Sequence, residues 1–154
     1  MLGWLASLQR TLFVSRTAHR AAGVVSAIDA ALAAGDALVL FAEGTTSDGV
    51  EVLPFKSSAF APFAAASVRV QPVTITLVSV DGQTVGPGPG QLRDRYAYHR
   101  DMHLAPHLRA FLGLSGAQVR LRFHPPLDAA ACADRKALAH EVRRQVADAL
   151  AAAR

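Results

Sequence analysis

Residues 37–49 read Ala37-Leu38-Val39-Leu40-Phe41, followed at once by Ala42-Glu43-Gly44-Thr45-Thr46-Ser47-Asp48-Gly49. The short continuous apolar run has the pattern of a strand buried on both faces. The polar stretch after it falls where parallel sheets collect ligands, outside the carboxyl end of a strand. Gly44 and Gly49 allow a sharp turn or a close backbone approach. The hydroxyls of Thr45, Thr46 and Ser47, with nearby N–H groups, suit an anion. It is not a nucleotide loop, because no Lys-Ser/Thr pair follows the glycines and no GxGxxG occurs. On residue types alone the stretch also suits a surface turn.

Periodic segments extend in both directions. Upstream, Leu2, Leu5 and Leu8, with Trp4, predict a short helix over 1–9. Residues 11–15 (TLFVS) predict a strand. Ala21, Val24, Val25, Ile28, Ala31 and Leu32 mark one face of a helix that stops at Gly35. Downstream, residues 57–66 suit a short helix, and 68–80 a strand that Pro72 makes irregular or edge-like. Residues 81–90 (DGQTVGPGPG) are a loop, and 101–112 a helix. Residues 117–124 alternate, with Val119, Leu121 and Phe123 on one face and Arg120, Arg122 and His124 on the other, which predicts a half-buried strand. Asp134 starts a last helix over 134–152, with Leu138, Val142, Val146, Ala149 and Leu150 on its stripe. This alternation predicts an α/β fold, a layered, mostly parallel sheet flanked by helices, as one domain across residues 1–154.

Composition sets bounds. An apolar share of 51% against 18% charged excludes a disordered chain. The net charge of +4 suits an anionic partner, such as a phosphorylated substrate or an acidic membrane, and equally an ordinary solvated surface. No helix carries an Arg stripe with interleaved aromatics, so no nucleic-acid partner is expected. The single cysteine, Cys132, excludes an internal disulfide and is read as incidental. No run approaches the roughly 18 apolar residues of a membrane span, so membrane contact by these residues is expected to be peripheral. His99, His103 and His107 lack a carboxylate or cysteine to complete a ligand set, and no metal is assigned.

A longer pattern narrows the reading. Phe41-Ala42-Glu43-Gly44-Thr45-Thr46-Ser47, then Leu53-Pro54-Phe55-Lys56-Ser57-Ser58-Ala59-Phe60, resembles the F-P-E-G-T-R-S and L-P-F-K-x-G-x-F signature of the 1-acylglycerol-3-phosphate (lysophosphatidic acid) acyltransferase family. Thr11 to Arg16 is similar to that family's block ending in a phosphate-contacting Arg, and Val70 to Ile75 to its V-P-V strand. Three blocks in order make a strong resemblance, and it covers nearly the whole chain. It implies a glycerolipid acyltransferase-like domain that moves a fatty acyl group from acyl-CoA or acyl-carrier protein to a lysolipid hydroxyl, with no further cofactor. It implies substrate contacts by Arg16, Glu43, Gly44, Thr45 and the Thr46 position, and a place at the cytoplasmic face of a bacterial inner membrane. Pro72 would shape the pocket.

Two departures follow. The family Arg of E-G-T-R is Thr46 here, so one cationic contact is missing, and the E-G-T-T-S-D-G form is similar to lyso-ornithine-lipid acyltransferases. The family's catalytic N-H-x-x-x-x-D block has no counterpart: none of the six histidines has an Asp five positions on. No catalytic residue is therefore assigned, and the chain is expected to lack the N-terminal portion of the domain. Without a general base, which typically contributes about 10²–10⁴-fold, it is expected to be a poor catalyst alone. A non-catalytic anion- or lipid-binding module is the second reading. Either requires Arg16 and Glu43 to face one cavity.

Overall fold

The computed structural model describes residues 26, 28–65 and 68–153. By its contacts the chain divides into Met1–Phe41 and Ala42–Arg154, and each unit is described by itself. In the first, helix α1 (28–33) closes at Gly35, where φ is +79°. The Asp36 N–H donates to Ala31 O and the Gly35 N–H to Leu32 O, both at 3.0 Å, the Schellman ending expected of a glycine stop. Residues 37–41 are not a strand. An apolar run becomes one only through ladder pairing, and no described residue pairs with it. The expected helix over 1–9, the strand over 11–15 and Arg16 lie outside the described residues.

The second unit begins with the loop 42–56. A 3-10 turn, Ser57–Phe60, then runs into α2 (Ala61–Ala65). Strand β1 (Arg69–Val70) is separated from β2 (Val73–Val80) by Gln71 and Pro72. Proline has no N–H for a ladder, so the interruption falls where expected. A tight turn leads to β3 (Gln83–Thr84), followed by α3 (Gln91–Tyr96), α4 (Leu104–Leu112), β4 (Ala117–Phe123), β5 (Leu127–Asp128) and α5 (Arg135–Ala152).

The mostly parallel sheet is not what the described residues form. Strands β3, β2 and β4 make one sheet in that order, β1 and β5 a second, and every ladder is antiparallel. The connection from β2 to β4 explains the difference. It opens with the β2–β3 hairpin and then carries two short helices, so it returns the chain beside β2 in the opposite sense rather than crossing over. Residues 81–90, expected to be loop, carry β3, and α3 falls in a stretch for which no element was expected.

Alternation along β2 puts Thr74 inward, 2% exposed, against α5. Phe60 (2% exposed), Leu138 and Val80 (both fully buried) fill the core with Phe63, Val142 and Ala129. The predicted α5 stripe is the buried one, and Asp134 caps it by accepting the N–H groups of Lys136 and Ala137, both at 2.8 Å. The opposite face of the sheet departs from expectation. Ile75, Leu121 and Phe123 are more than half exposed, so the apolar side of β4 is open among the described residues.

One polar pin joins sheet to helix. The Thr74 hydroxyl donates to Val146 O at 3.3 Å and lies 2.8 Å from His124 Nε2. With its single proton given to Val146, Thr74 accepts from His124, which places the imidazole proton on Nε2. Burial, with a smaller push from the Arg122 charge, holds His124 below the ordinary histidine pKa. The unfolded chain therefore takes up the proton first as pH falls, and stability from neutral His124 is full above about pH 6.5 and lost in acid. Melting curves between pH 7.5 and 5 should show a larger fall for the wild type than for His124→Gln, whose amide can still donate to Thr74. Identical pH slopes in the two proteins would refute the pin.

Candidate acceptor-binding loop

The loop 42–56 is closed at its base by the Lys56 N–H, which donates to Ala42 O at 2.9 Å. Ala42 and Val52 are buried, whereas Gly44, Thr45 and Thr46 are exposed at the tip. Gly44 has φ +64° and Gly49 φ +68°, the left-handed region that glycine enters without penalty. Short side-chain turns stiffen the return: Ser47 Oγ accepts from the Gly49 N–H at 3.2 Å, and Asp48 Oδ1 from the Val50 N–H at 3.1 Å. Among the described residues, the N–H groups of Gly44, Thr45 and Thr46 donate to nothing.

Two arginines from distant parts of the chain hold this loop. Arg143, on α5, donates from Nη2 to Val52 O at 2.7 Å and from Nε to Leu53 O at 3.0 Å. Arg93, on α3 and 8% exposed, reaches the carbonyls of Asp48 and Gly49, both at 3.4 Å, and those of Gly86 at 3.0 Å and Gly88 at 3.3 Å. A guanidinium carries five N–H donors in a rigid fork, which suits gathering several carbonyls at once. The loop is thus a braced surface, not a free turn.

Glu43 sits half-buried at the base of the tip. Burial pushes its carboxyl above the ordinary range, while the Leu53 N–H and the Arg143 charge pull it back. Phe55 stacks on the core residue Phe60, with centroids 6.2 Å apart and planes 17° from parallel, which ties the loop's exit to the core.

Of the residues expected to bind substrate, Gly44, Thr45 and Thr46 form one continuous exposed edge with half-buried Glu43 at its base, and Arg16 lies outside the described residues. Sequence reasoning missed three others. Arg93 and Arg143 act through the fold, from 44 and 90 positions away respectively, and nothing local marks them. Lys56 had a visible signal: it is the only Lys or Arg between Arg20 and Arg69.

Among the described residues one His–Asp contact lies outside the loop. His99 Nε2 lies 2.9 Å from Asp94 Oδ1, with the Asp preceding the His. The His99 side chain is 6% exposed, which closes it to a substrate hydroxyl and makes it a pin at the end of α3. Among the described residues no group of His, Cys, Asp and Glu could hold a metal ion.

Gly44→Ala tests the tip. A Cβ there would lie 2.8 Å from Lys56 Nζ and 3.1 Å from Cδ and Cε, and it would occupy a left-handed backbone. The backbone term costs about 1–2 kcal/mol. The Lys56 chain is flexible, so it swings aside rather than unfolding the loop. The melting temperature should fall by a few degrees, while acceptor binding weakens more than tenfold. Unchanged binding would contradict the placement of the tip.

The Acyltransferase family matches residues 1–76, a span that includes the whole braced loop. Over those residues the chain is similar to that family. It is also similar to three curated lyso-ornithine lipid O-acyltransferases. The protein of Brucella abortus is 42% identical over 158 residues, covering 95% of this chain and 57% of the relative. That of Rhodobacter capsulatus is 34% identical over 144 residues, covering 90% and 49%. That of Rhizobium meliloti is 34% identical over 154 residues, covering 95% and 52%. The chain thus spans about half the length of the curated relatives it matches. No solved structure matches it.

Proposed function

We propose that these residues form the acceptor-binding part of a lysolipid O-acyltransferase of bacterial lipid biosynthesis, whose acceptor carries an amino-acid head group of the ornithine kind rather than the phosphate of lysophosphatidate. The observation that carries this is the braced edge Glu43–Thr46, which exposes hydroxyls and N–H groups but, with Thr46 in place of the family Arg, no guanidinium. A phosphate dianion is best met by a bidentate arginine. A carboxylate, with one negative charge, needs less. The names of the relatives point the same way.

In the proposed reaction the acceptor hydroxyl oxygen attacks the thioester carbonyl of acyl-CoA or acyl-carrier protein, the sulfur leaves, and a general base takes the hydroxyl proton. The role proposed for this chain is to hold the head group, with Arg16, as the family resemblance implies, among the contacting residues. None of its histidines has the family's spacing to an Asp, so the base is proposed to come from outside these residues. The membrane contact is proposed as peripheral, at the cytoplasmic face. Among the described residues no helix is long and apolar enough to cross a membrane.

The test is a head-group competition. The full-length protein, given one acyl donor with lyso-ornithine lipid and lysophosphatidate together, should esterify the former at least tenfold faster. Preference for lysophosphatidate would overturn the head-group assignment. Absence of both esters would overturn the enzymatic reading and leave an anion- or lipid-binding module.

A further inference from the structure

Resting on the acceptor-loop reading, we propose that Lys56 is the cation that receives the carboxylate of the acceptor's head group, in place of the arginine that Thr46 does not provide. The backbone sets this up. The Lys56 N–H bonds to Ala42 O, so the Lys56 side chain starts two residues from Gly44 across the neck of the loop. It then lies over Gly44 so closely that a Cβ at Gly44 would meet its Nζ at 2.8 Å. The ammonium is therefore held above the exposed tip by the absence of a side chain beneath it.

Other cations of this unit are engaged elsewhere. Arg93 and Arg143 spend their N–H groups on loop carbonyls. Arg95 pairs with Asp81 at 2.8 Å, and Arg144 with Glu141 and Asp148. Arg100 lies 3.8 Å from Asp48. Lys56 is exposed and makes no ion pair among the described residues. An ammonium over Gly44, at a tip where the N–H groups of Gly44, Thr45 and Thr46 donate to nothing among the described residues, is a site for one oxyanion. A lysine acts there as a point charge with three rotatable donors, which does not demand the planar pairing an arginine does.

The experiment compares wild type, Lys56→Gln and Lys56→Arg in the full-length protein. Lyso-ornithine lipid, lysophosphatidate and an uncharged monoacylglycerol serve as acceptors. Lys56→Gln should raise KM for lyso-ornithine lipid between about 10- and 100-fold, the range for one charged hydrogen bond. Its kcat and melting temperature should change little, Lys56→Arg should recover most of the affinity, and the monoacylglycerol should be indifferent to all three. If lysophosphatidate alone responds, the cation is real but its partner is a phosphate, and the carboxylate assignment is overturned. A wild type that turns over with Lys56→Gln unaltered in KM overturns the role of Lys56 and leaves the loop reading intact. A wild type with no turnover on any acceptor counts against that reading. Lys56 is then judged by co-sedimentation with phosphatidylcholine vesicles doped with lyso-ornithine lipid, where equal binding of wild type and Lys56→Gln overturns the proposal.

Discussion

Phe60→Ala is expected to destabilise the protein by about 3–5 kcal/mol, the range for deleting a buried aromatic ring. Phe60 is 2% exposed and sits in the turn that packs against α5. Its ring also stacks on Phe55, so the substitution removes the contact that ties the loop's exit to the core. The cavity cannot collapse easily, because Leu138 and Val80 around the core are themselves fully buried and close-packed. Thermal melting should show a fall of roughly 10 °C or more. A change under about 1 kcal/mol would mean that the Ser57–Phe60 turn is not core.

Arg143→Met is expected to combine a stability loss with a functional one. Methionine keeps the aliphatic packing along α5 but leaves the carbonyls of Val52 and Leu53 without their donors. Each charged hydrogen bond contributes about 1.5–3 kcal/mol. The substitution also removes the positive charge that restrains Glu43, so burial drives that carboxyl further up. With its brace gone the loop samples more conformations, and KM for the lysolipid should rise about tenfold or more while kcat falls less. Arg143→Lys, which keeps the charge but not the fork, should fall between. A lower melting temperature with an unaltered KM would show that Arg143 serves the fold alone.

Local pattern made much of the fold legible. The stop at Gly35, the break at Pro72, the alternation of 117–123 and the Asp134 cap all depend on neighbours a few residues away, and each is found. Strand direction was not legible. It depends on how 81–116 folds back, and helix α3 within it is only six residues long, too short to show a period. Burial of β4 was misread for a related reason: alternation shows that two faces differ, not which one is covered. In the candidate loop, the turns at Gly44 and Gly49 were legible because a glycine-rich turn is a local feature, whereas the roles expected of Glu43 to Thr46 came from the family resemblance. The arginine braces were not, because a guanidinium acts over distances in sequence that no motif spans. Lys56 lay between the two cases, quoted within its motif and isolated in charge, yet its position over Gly44 needed the neck closed by Ala42.

The most direct measurement is photo-crosslinking of the full-length protein with a lyso-ornithine lipid carrying a diazirine on its head group, followed by peptide mapping. Adducts should concentrate on residues 43–56 and be competed away by unlabelled lysolipid. Competable adducts that map only to other segments, with none on this loop, would contradict the claim that the polar end of the acceptor rests there.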